Sequence, residues 1–371
     1  MDEIRAIAIV VVAAAAAALA TPLVQRLSVR VGAVDRPNER KVSHREQMPL
    51  MGGLAVGAGC AAGLAAALLL AVTEAASSAV AGFAVGAAIL VGVGAWDDRF
   101  TLTAPPKLFF QFVAAVIAIW AGFRIDFFTD PITATTHEVP VWIVWPVSVL
   151  WIVGVTNAMN LIDGLDGLAS GVGGIIAFTL TIICWQAGQW PGVVIGLALF
   201  GALAGYLPFN FPPARIFLGD TGSLLIGFAL SLLALEGYRK AAFLAFLVPI
   251  LALAIPILDT TLSIMRRLRS GASVFDADRL HMHHRLLVRE GSHRNAVLML
   301  YFLTGCFCMI ALSFSQLDGW LAFAYLAAVV AVTVRLLRNL DAFSLEVRGS
   351  APSDPEKGES PSEGTADGES F

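Results

Sequence analysis

Long apolar runs separated by short polar loops make up most of this chain. About eleven runs stand out, at approximately 6–27, 51–73, 78–96, 106–123, 141–157, 170–188, 192–208, 222–237, 241–264, 295–315 and 319–337. Their lengths are close to the ~20 residues that an α-helix needs to cross the hydrocarbon core of a bilayer. The pattern predicts an all-α, polytopic integral membrane protein with about eleven transmembrane helices over residues 1–338. Composition agrees, with 57% hydrophobic residues, 14% charged residues and a mean hydropathy of +0.77. The first run is Ala-rich like a signal-peptide core, but Asp2 and Glu3 precede it against a single Arg5, so it reads as a span.

Charge gives the orientation. With the N-terminus outside and strictly alternating spans, Arg5, Arg124, Arg239 and Lys240 fall outside, and the other twenty of the 24 Lys and Arg fall inside. This bias places the loops near 28–50, 97–105, 158–169, 209–221 and 265–294 in the cytoplasm. The four cysteines, Cys60, Cys184, Cys306 and Cys308, lie within runs and read as small core residues. Residues 339–371 are acidic, and from Gly349 they are rich in Gly, Ser, Pro and Glu. That composition predicts a disordered tail. The basic residues are scattered over separate loops, so no nucleic-acid-binding face is expected.

The chemistry sits in those inner loops. Asn157, Asn160 and Asp163 are three apart in NAMNLIDGLDGLASG and share one helix edge if the fifth run continues through them. Gly164 and Gly167 then let the chain turn so that Asp163 and Asp166 face one small volume, a set of oxygens suited to Mg²⁺. Asp97 and Asp98 end the third run, and adjacent carboxylates at a membrane boundary repel unless a cation or proton intervenes. Pro105, Pro106 and Lys107 open the fourth run. Asp220, in GDTGS, reads equally as a helix-capping residue or as a metal or substrate contact. The first inner loop holds Lys41, and Gly52 and Gly53 at its end suggest close backbone approach to a phosphate. The last holds Arg279, His281, His283, His284 and Arg285, which suit a phosphate or sugar better than zinc, for which no fourth ligand lies at the usual spacing. Outside, the THEVPVW stretch alternates enough to form a short strand or hairpin.

Two spans separate each loaded loop from the next, so all five emerge on one side. Five carboxylates then share a face with Lys, Arg, Asn and His. Such a face fits a phosphorylated cytoplasmic substrate meeting a partner that arrives from the lipid.

At this point the chain resembles the polyprenyl-phosphate N-acetylhexosamine-1-phosphate transferases, glycosyltransferase family 4, the group containing WecA, TagO and, more distantly, MraY. The similar pieces are DRPNERKVSH with PLMGG, WDDRF with APPKL, NAMNLIDGLDGLASG, FLGDTGS, and PILDTTLSIMRR with DRLHMHH, in family order from about residue 35 to 285. The resemblance implies transfer of a sugar 1-phosphate from a UDP-sugar to undecaprenyl phosphate, with release of UMP, at the cytoplasmic face of a bacterial inner membrane. It further implies Mg²⁺ (Mn²⁺ as a substitute) held by Asp163 and Asp220 with help from Asn160, and Asp97 and Asp98 beside the acceptor phosphate. Lys41 and Lys107 would hold phosphates, and Asp166, with Asn157 nearby, would face the nucleotide side. The segment from Arg279 through His281, His283 and His284 to Arg285 would cover sugar and pyrophosphate. PLMGG in place of TPTMGG, and H-x-H-H in place of HHH, lean towards the WecA and TagO branch, and so to UDP-N-acetylglucosamine or a close relative rather than the MraY substrate. A transporter of an anionic solute is the alternative from another class. It would show broken helices and mid-membrane ionisable residues, of which Asp259 is the deepest. The sequence leaves monomer and homodimer open.

Overall fold

A computed structural model describes residues 1–35, 48–72, 77–129, 136–238, 247–270, 292–314 and 319–339. The described residues are mostly helical. The helices are α1 (Glu3–Val31), α2 (Gly53–Leu69), α3 (Ser78–Phe100), α4 (Ala104–Trp120), α5 (Val141–Ile162), α6 (Leu168–Gln186), α7 (Trp190–Asn210), α8 (Gly219–Tyr238), α9 (Leu247–Ala252), α10 (Ala254–Ser270), α11 (His293–Phe314) and α12 (Gly319–Asn339). Local chemistry sets several of these ends. Asp2 accepts from Arg5 N at 2.9 Å to open α1, and Gly32, at φ 73°, closes it in the left-handed region. Ser77 caps α3, and Pro105 and Pro106 sit in the first turn of α4, where a missing N–H costs nothing.

Among the described residues seven helices, α1, α3, α5, α6, α7, α8 and α11, are long and apolar enough to cross a membrane. This is a multi-pass membrane protein. The runs at 51–73 and 106–123 form the shorter apolar helices α2 and α4, each of 17 residues. The run at 241–264, expected as one span, is described from residue 247 and is divided at Leu253 into α9 and α10. Pro256 has no N–H to give the carbonyl of Ala252, which loses its helical partner. Cys308 Sγ on α11 lies 3.9 Å from that carbonyl, a weak substitute. Beyond the break, Asp259 is buried on α10.

Two short antiparallel ladders complete the described structure. β1 (Val34–Asp35) pairs with β2 (Met48–Pro49) and joins the two ends of the first inner loop. β3 (Phe127–Thr129) pairs with β4 (Thr136–Glu138), the hairpin expected around THEVPVW.

The bundle is arranged around α8, whose apolar window is 89% buried. It touches α2, α3, α5, α6, α7 and α9. Small residues allow this: a Cβ on Gly53 would lie 2.0 Å from Gly222 N, and one on Gly94 would lie 2.4 Å from Thr221 Cα. Close backbone approach of this kind replaces the hydrophobic drive that lipid cannot supply. It also fixes the first turn of α8, which carries Asp220, against α2 and α3.

Candidate active site

Asp97 and Asp98 are neighbours in sequence, but successive residues on a helix point ~100° apart, and the two carboxylates have different duties. Asp98 turns towards the start of α8. Its Oδ1 accepts from Asp220 N at 2.8 Å, and its Oδ2 accepts from Thr221 N at 3.2 Å and from Thr221 Oγ1. It therefore supplies the anion that the N-terminus of α8 calls for. The preceding Gly219, at φ +71°, leaves no room for a side chain, since a Cβ there would lie 2.4 Å from Asp98 Oδ2. Asp97 accepts from Leu102 N at 2.6 Å through Oδ1 and presents Oδ2 to Lys107.

Lys107 joins two helices. Its Nζ donates to Asp97 Oδ2 at 3.2 Å and to Asp220 Oδ2 at 2.8 Å. Asn160, one turn from the end of α5, donates from Nδ2 to the other Asp220 oxygen at 2.9 Å and to Ser223 Oγ at 2.8 Å. Asp220 is thus gripped from both sides, and the free N–H groups at the start of α8 are met by Asp98, so the structure does not use Asp220 as the cap. Oxygens of Asp97, Asp98 and Asp220 lie within 4.8 Å of one another.

Asp163 follows the last residue of α5 and has φ −74° and ψ 55°. Among the described residues its carboxylate accepts no hydrogen bond. Burial pushes its pKa well above the usual carboxylate range, and the nearby carboxylates Asp220, Asp98 and Asp166 push it further. A carboxyl group that meets other acids and no donor either takes up a proton or is open to a cation.

Asp166 has a different environment. Its Oδ2 accepts from Ala214 N at 2.9 Å, tying the 163–167 turn to the segment between α7 and α8. Tyr301 on α11 donates to Gly167 O at 2.5 Å, and Ser170 donates to Asn210 Oδ1 at 2.6 Å. Asn210 in turn donates to Ile216 O at 2.9 Å. Asn157 faces α4, where its Nδ2 donates to Gln111 Oε1 at 2.5 Å. Gln111, 2% exposed, lies one helical turn beyond Lys107. Sequence reading missed it, although the i, i+4 spacing from Lys107 was the available signal.

One expectation is corrected. Gly52 and Gly53 do not offer their N–H groups to a phosphate. Gly52 N donates to Phe217 O at 3.0 Å and Gly53 N donates to Leu218 O at 2.9 Å, and both glycines are buried. They join the first inner loop to the GDTGS loop. Lys41, Arg279, His281, His283, His284 and Arg285, with the tail beyond Asn339, lie outside the described residues.

A family model described as glycosyl transferase family 4 matches residues 80–238, the stretch holding every side chain of this constellation. The chain is 38% identical over 325 residues to a "Probable undecaprenyl-phosphate N-acetylglucosaminyl 1-phosphate transferase" of Bacillus subtilis (strain 168), covering 87% of this chain and 89% of that relative. The chain belongs to glycosyl transferase family 4. A family relative from Mycolicibacterium smegmatis, "Decaprenyl-phosphate N-acetylglucosaminephosphotransferase", is 36% identical over 347 residues, 86% of this chain and 84% of the relative. One from Salmonella typhi, "Undecaprenyl-phosphate alpha-N-acetylglucosaminyl 1-phosphate transferase", is 29% identical over 282 residues, 72% of each chain. These names bear on the sugar and the lipid. The constellation of Asp97, Lys107, Asn160 and Asp220 bears on the chemistry.

Proposed function

We propose that this protein transfers N-acetylglucosamine 1-phosphate from UDP-N-acetylglucosamine to undecaprenyl phosphate, releasing UMP and leaving a lipid-linked diphosphate sugar that primes a cell-envelope polysaccharide. The observation that carries the reading is the convergence of Asp97, Lys107, Asn160 and Asp220 at one end of the bundle in a chain of this family. Relatives named for N-acetylglucosamine transfer to polyprenyl phosphates support the substrates. The full arrangement has eleven spans, with this end of the bundle at the cytoplasmic face of a bacterial inner membrane, as the charge bias suggests.

The donor set fits a hard divalent cation, since Asp97, Asp98 and Asp220 bring carboxylate oxygens within 4.8 Å of one another and Asp163, which accepts no hydrogen bond among the described residues, feels the charge of Asp220 and Asp98. Asp163 and Asp220 would hold it, Asn160 would steady Asp220, and Asp97 is the third carboxylate within reach. Bound there, Mg²⁺ or Mn²⁺ would offset diphosphate charge as a Lewis acid.

The reaction is one in-line displacement. An oxygen of the lipid phosphate forms a bond to the β-phosphorus of the UDP-sugar, and the bond from that phosphorus to the bridging oxygen breaks, so UMP leaves with the electron pair. The attacking phosphate is largely ionised at neutral pH and needs little base. Asp97 positions it or takes its last proton. Lys107 supplies positive charge to the phosphoryl group in flight. Asp98 acts at one remove, holding α8 so that Asp220 faces the substrate. Asn157 and Asp166 serve the nucleotide side, and Lys41, Arg279, His281, His283, His284 and Arg285 supply charge and hydrogen-bond donors for sugar and pyrophosphate.

The divided run at 241–264, with buried Asp259, is what a transporter would also show. Family membership and the chemistry of the site favour the transferase. UMP release by the purified protein with UDP-N-acetylglucosamine, undecaprenyl phosphate and Mg²⁺ tests the proposal. Release that needs both lipid and metal is expected. Folded protein that releases no UMP from this donor, from UDP-N-acetylgalactosamine or from the MraY donor would defeat it.

A further inference from the structure

A second feature lies on α1, away from the carboxylates. A groove of about 500 Å³ is lined by Gln25, Arg26, Val29, Arg30 and Pro49. Arg26 and Arg30 are one turn apart and both border it, and neither takes part in the ion pairs found among the described residues. The groove wall itself is mostly apolar, and the two exposed arginines stand at its border, where planar, forked donors can meet an anion at the mouth. A juxtamembrane charge bias alone requires no concavity.

The approach to this groove is apolar. Leu19, Leu23 and Leu27, 73%, 64% and 44% exposed, climb the same helix at i, i+4 spacing and end beside the arginines, and Val29 within the groove is 56% exposed. A soluble anion has no use for such a strip, whereas an acyl chain lies along it. We infer that the groove between the end of α1 and β2 binds the phosphate of an anionic bilayer phospholipid, with Arg26 and Arg30 on the headgroup and the leucine strip under a tail.

Its floor is tied to the GDTGS loop. Pro49 O accepts from Phe217 N at 2.9 Å, and Gln25 Nε2 donates to Arg215 O at 3.1 Å. Headgroup binding therefore stiffens the segment that leads into Asp220. None of Asp97, Asp98, Lys107 and Asp220 lines the groove, so the lipid here is separate from the acceptor.

The test uses full-length protein in neutral detergent, titrated with dioctanoyl-phosphatidylglycerol and read by thermal shift and by lipid adducts in native mass spectrometry. Saturable stabilisation is expected. Arg26→Gln with Arg30→Gln should weaken it about thirtyfold, from a contribution on the order of a tenth to a fifth of the affinity retained per lost arginine. Arg26→Lys with Arg30→Lys keeps the charge but loses the fork, so its binding should fall between wild type and the glutamine pair, which separates lost charge from damaged folding. Equal shifts with dioctanoyl-phosphatidylcholine, or undiminished binding by the glutamine pair, would overturn the inference. The same saturable shift with inorganic phosphate would make this a soluble-anion site, and displacement by undecaprenyl phosphate in preference to phosphatidylglycerol would make it an acceptor site. Either result refutes the assignment to a bilayer lipid. None of these readouts depends on UMP release.

Discussion

Gly53→Ala separates the two uses a paired glycine could have at the end of the first inner loop. The added Cβ would lie 2.0 Å from Gly222 N and 2.3 Å from Gly222 Cα, backbone atoms that cannot rotate away. Reaching ordinary contact near 3.4 Å requires α2 and α8 to separate by about 1.4 Å at this point. The bonds from Gly52 N to Phe217 O (3.0 Å) and from Gly53 N to Leu218 O (2.9 Å) would then break. Each buried backbone group left unmade costs ~1–3 kcal/mol, and overpacking adds a similar amount. The better helix propensity of Ala returns less than ~1 kcal/mol. A net loss of about 2–8 kcal/mol is expected, which lowers Tm by at least ~4 °C. Gly222 is two residues from Asp220, so the carboxylate moves too, and a misplacement of ~1 Å in a transfer site costs about 10²-fold in kcat. Thermal unfolding in detergent and initial rates of UMP release measure both. Normal Tm and kcat with only a raised KM for UDP-sugar would refute this account and restore the phosphate-facing role of the pair.

Lys107→Met leaves Asp97 and Asp220 without their shared cation, and kcat should fall at least ~100-fold; Lys107→Arg, too large for the gap between acceptors at 2.8 and 3.2 Å, should not restore it in the UMP assay. Asp163→Asn should abolish Mg²⁺-dependent turnover while raising Tm in chelator, because it removes a carboxyl that must either carry charge among other carboxylates or take up a proton on folding; a lower Tm in chelator would show that Asp163 has a structural partner. The raised pKa of Asp163 also sets a pH trend. The folded state holds this proton at pH values where the unfolded chain, near pKa ~3.9, has lost it, so metal-free stability falls as pH rises through that window. Mg²⁺ binds the deprotonated form, so its stabilising shift should grow with pH, as a thermal titration between pH 5 and 8 can check. Gln111→Leu leaves Asn157 without its partner on α4 and should lower stability by ~1–3 kcal/mol; turnover should fall with it, while KM for lipid stays nearly constant, because α4 carries Lys107.

Much of the site could be read from spacing. Asn160 and Asp163 stand at the end of α5 as their three-residue interval required, and the chain turns at Gly167, where φ is +74°. The convergence of loops around 97–107, 160–166 and 217–223 follows from the even number of runs between them. What spacing could not show was direction about the helix axis. Asp97 and Asp98 are equivalent in a string of letters, yet one meets Lys107 and the other caps α8. Gly52 and Gly53 suited either a ligand or a neighbouring backbone, and only tertiary packing chose the backbone. The break at Leu253 was written in Pro256, but apolar content alone carried the run through it.

Lys107 rests with both of its partners already in place, which makes recognition at this site an exchange rather than an addition. An incoming phosphate gains the ammonium only as far as Asp97 or Asp220 gives it up, so the net attraction is the difference between two similar bonds. A lone anion of modest charge therefore has little leverage here, and the site resists being filled by the inorganic phosphate of the cell. On the proposed function, a cation held by Asp163 and Asp220 would compensate the carboxylates and free the lysine for the diphosphate. On that proposal, preference for a diphosphate over a simple anion is built into the pairing of Lys107 with Asp97 and Asp220, before any contact with sugar or base.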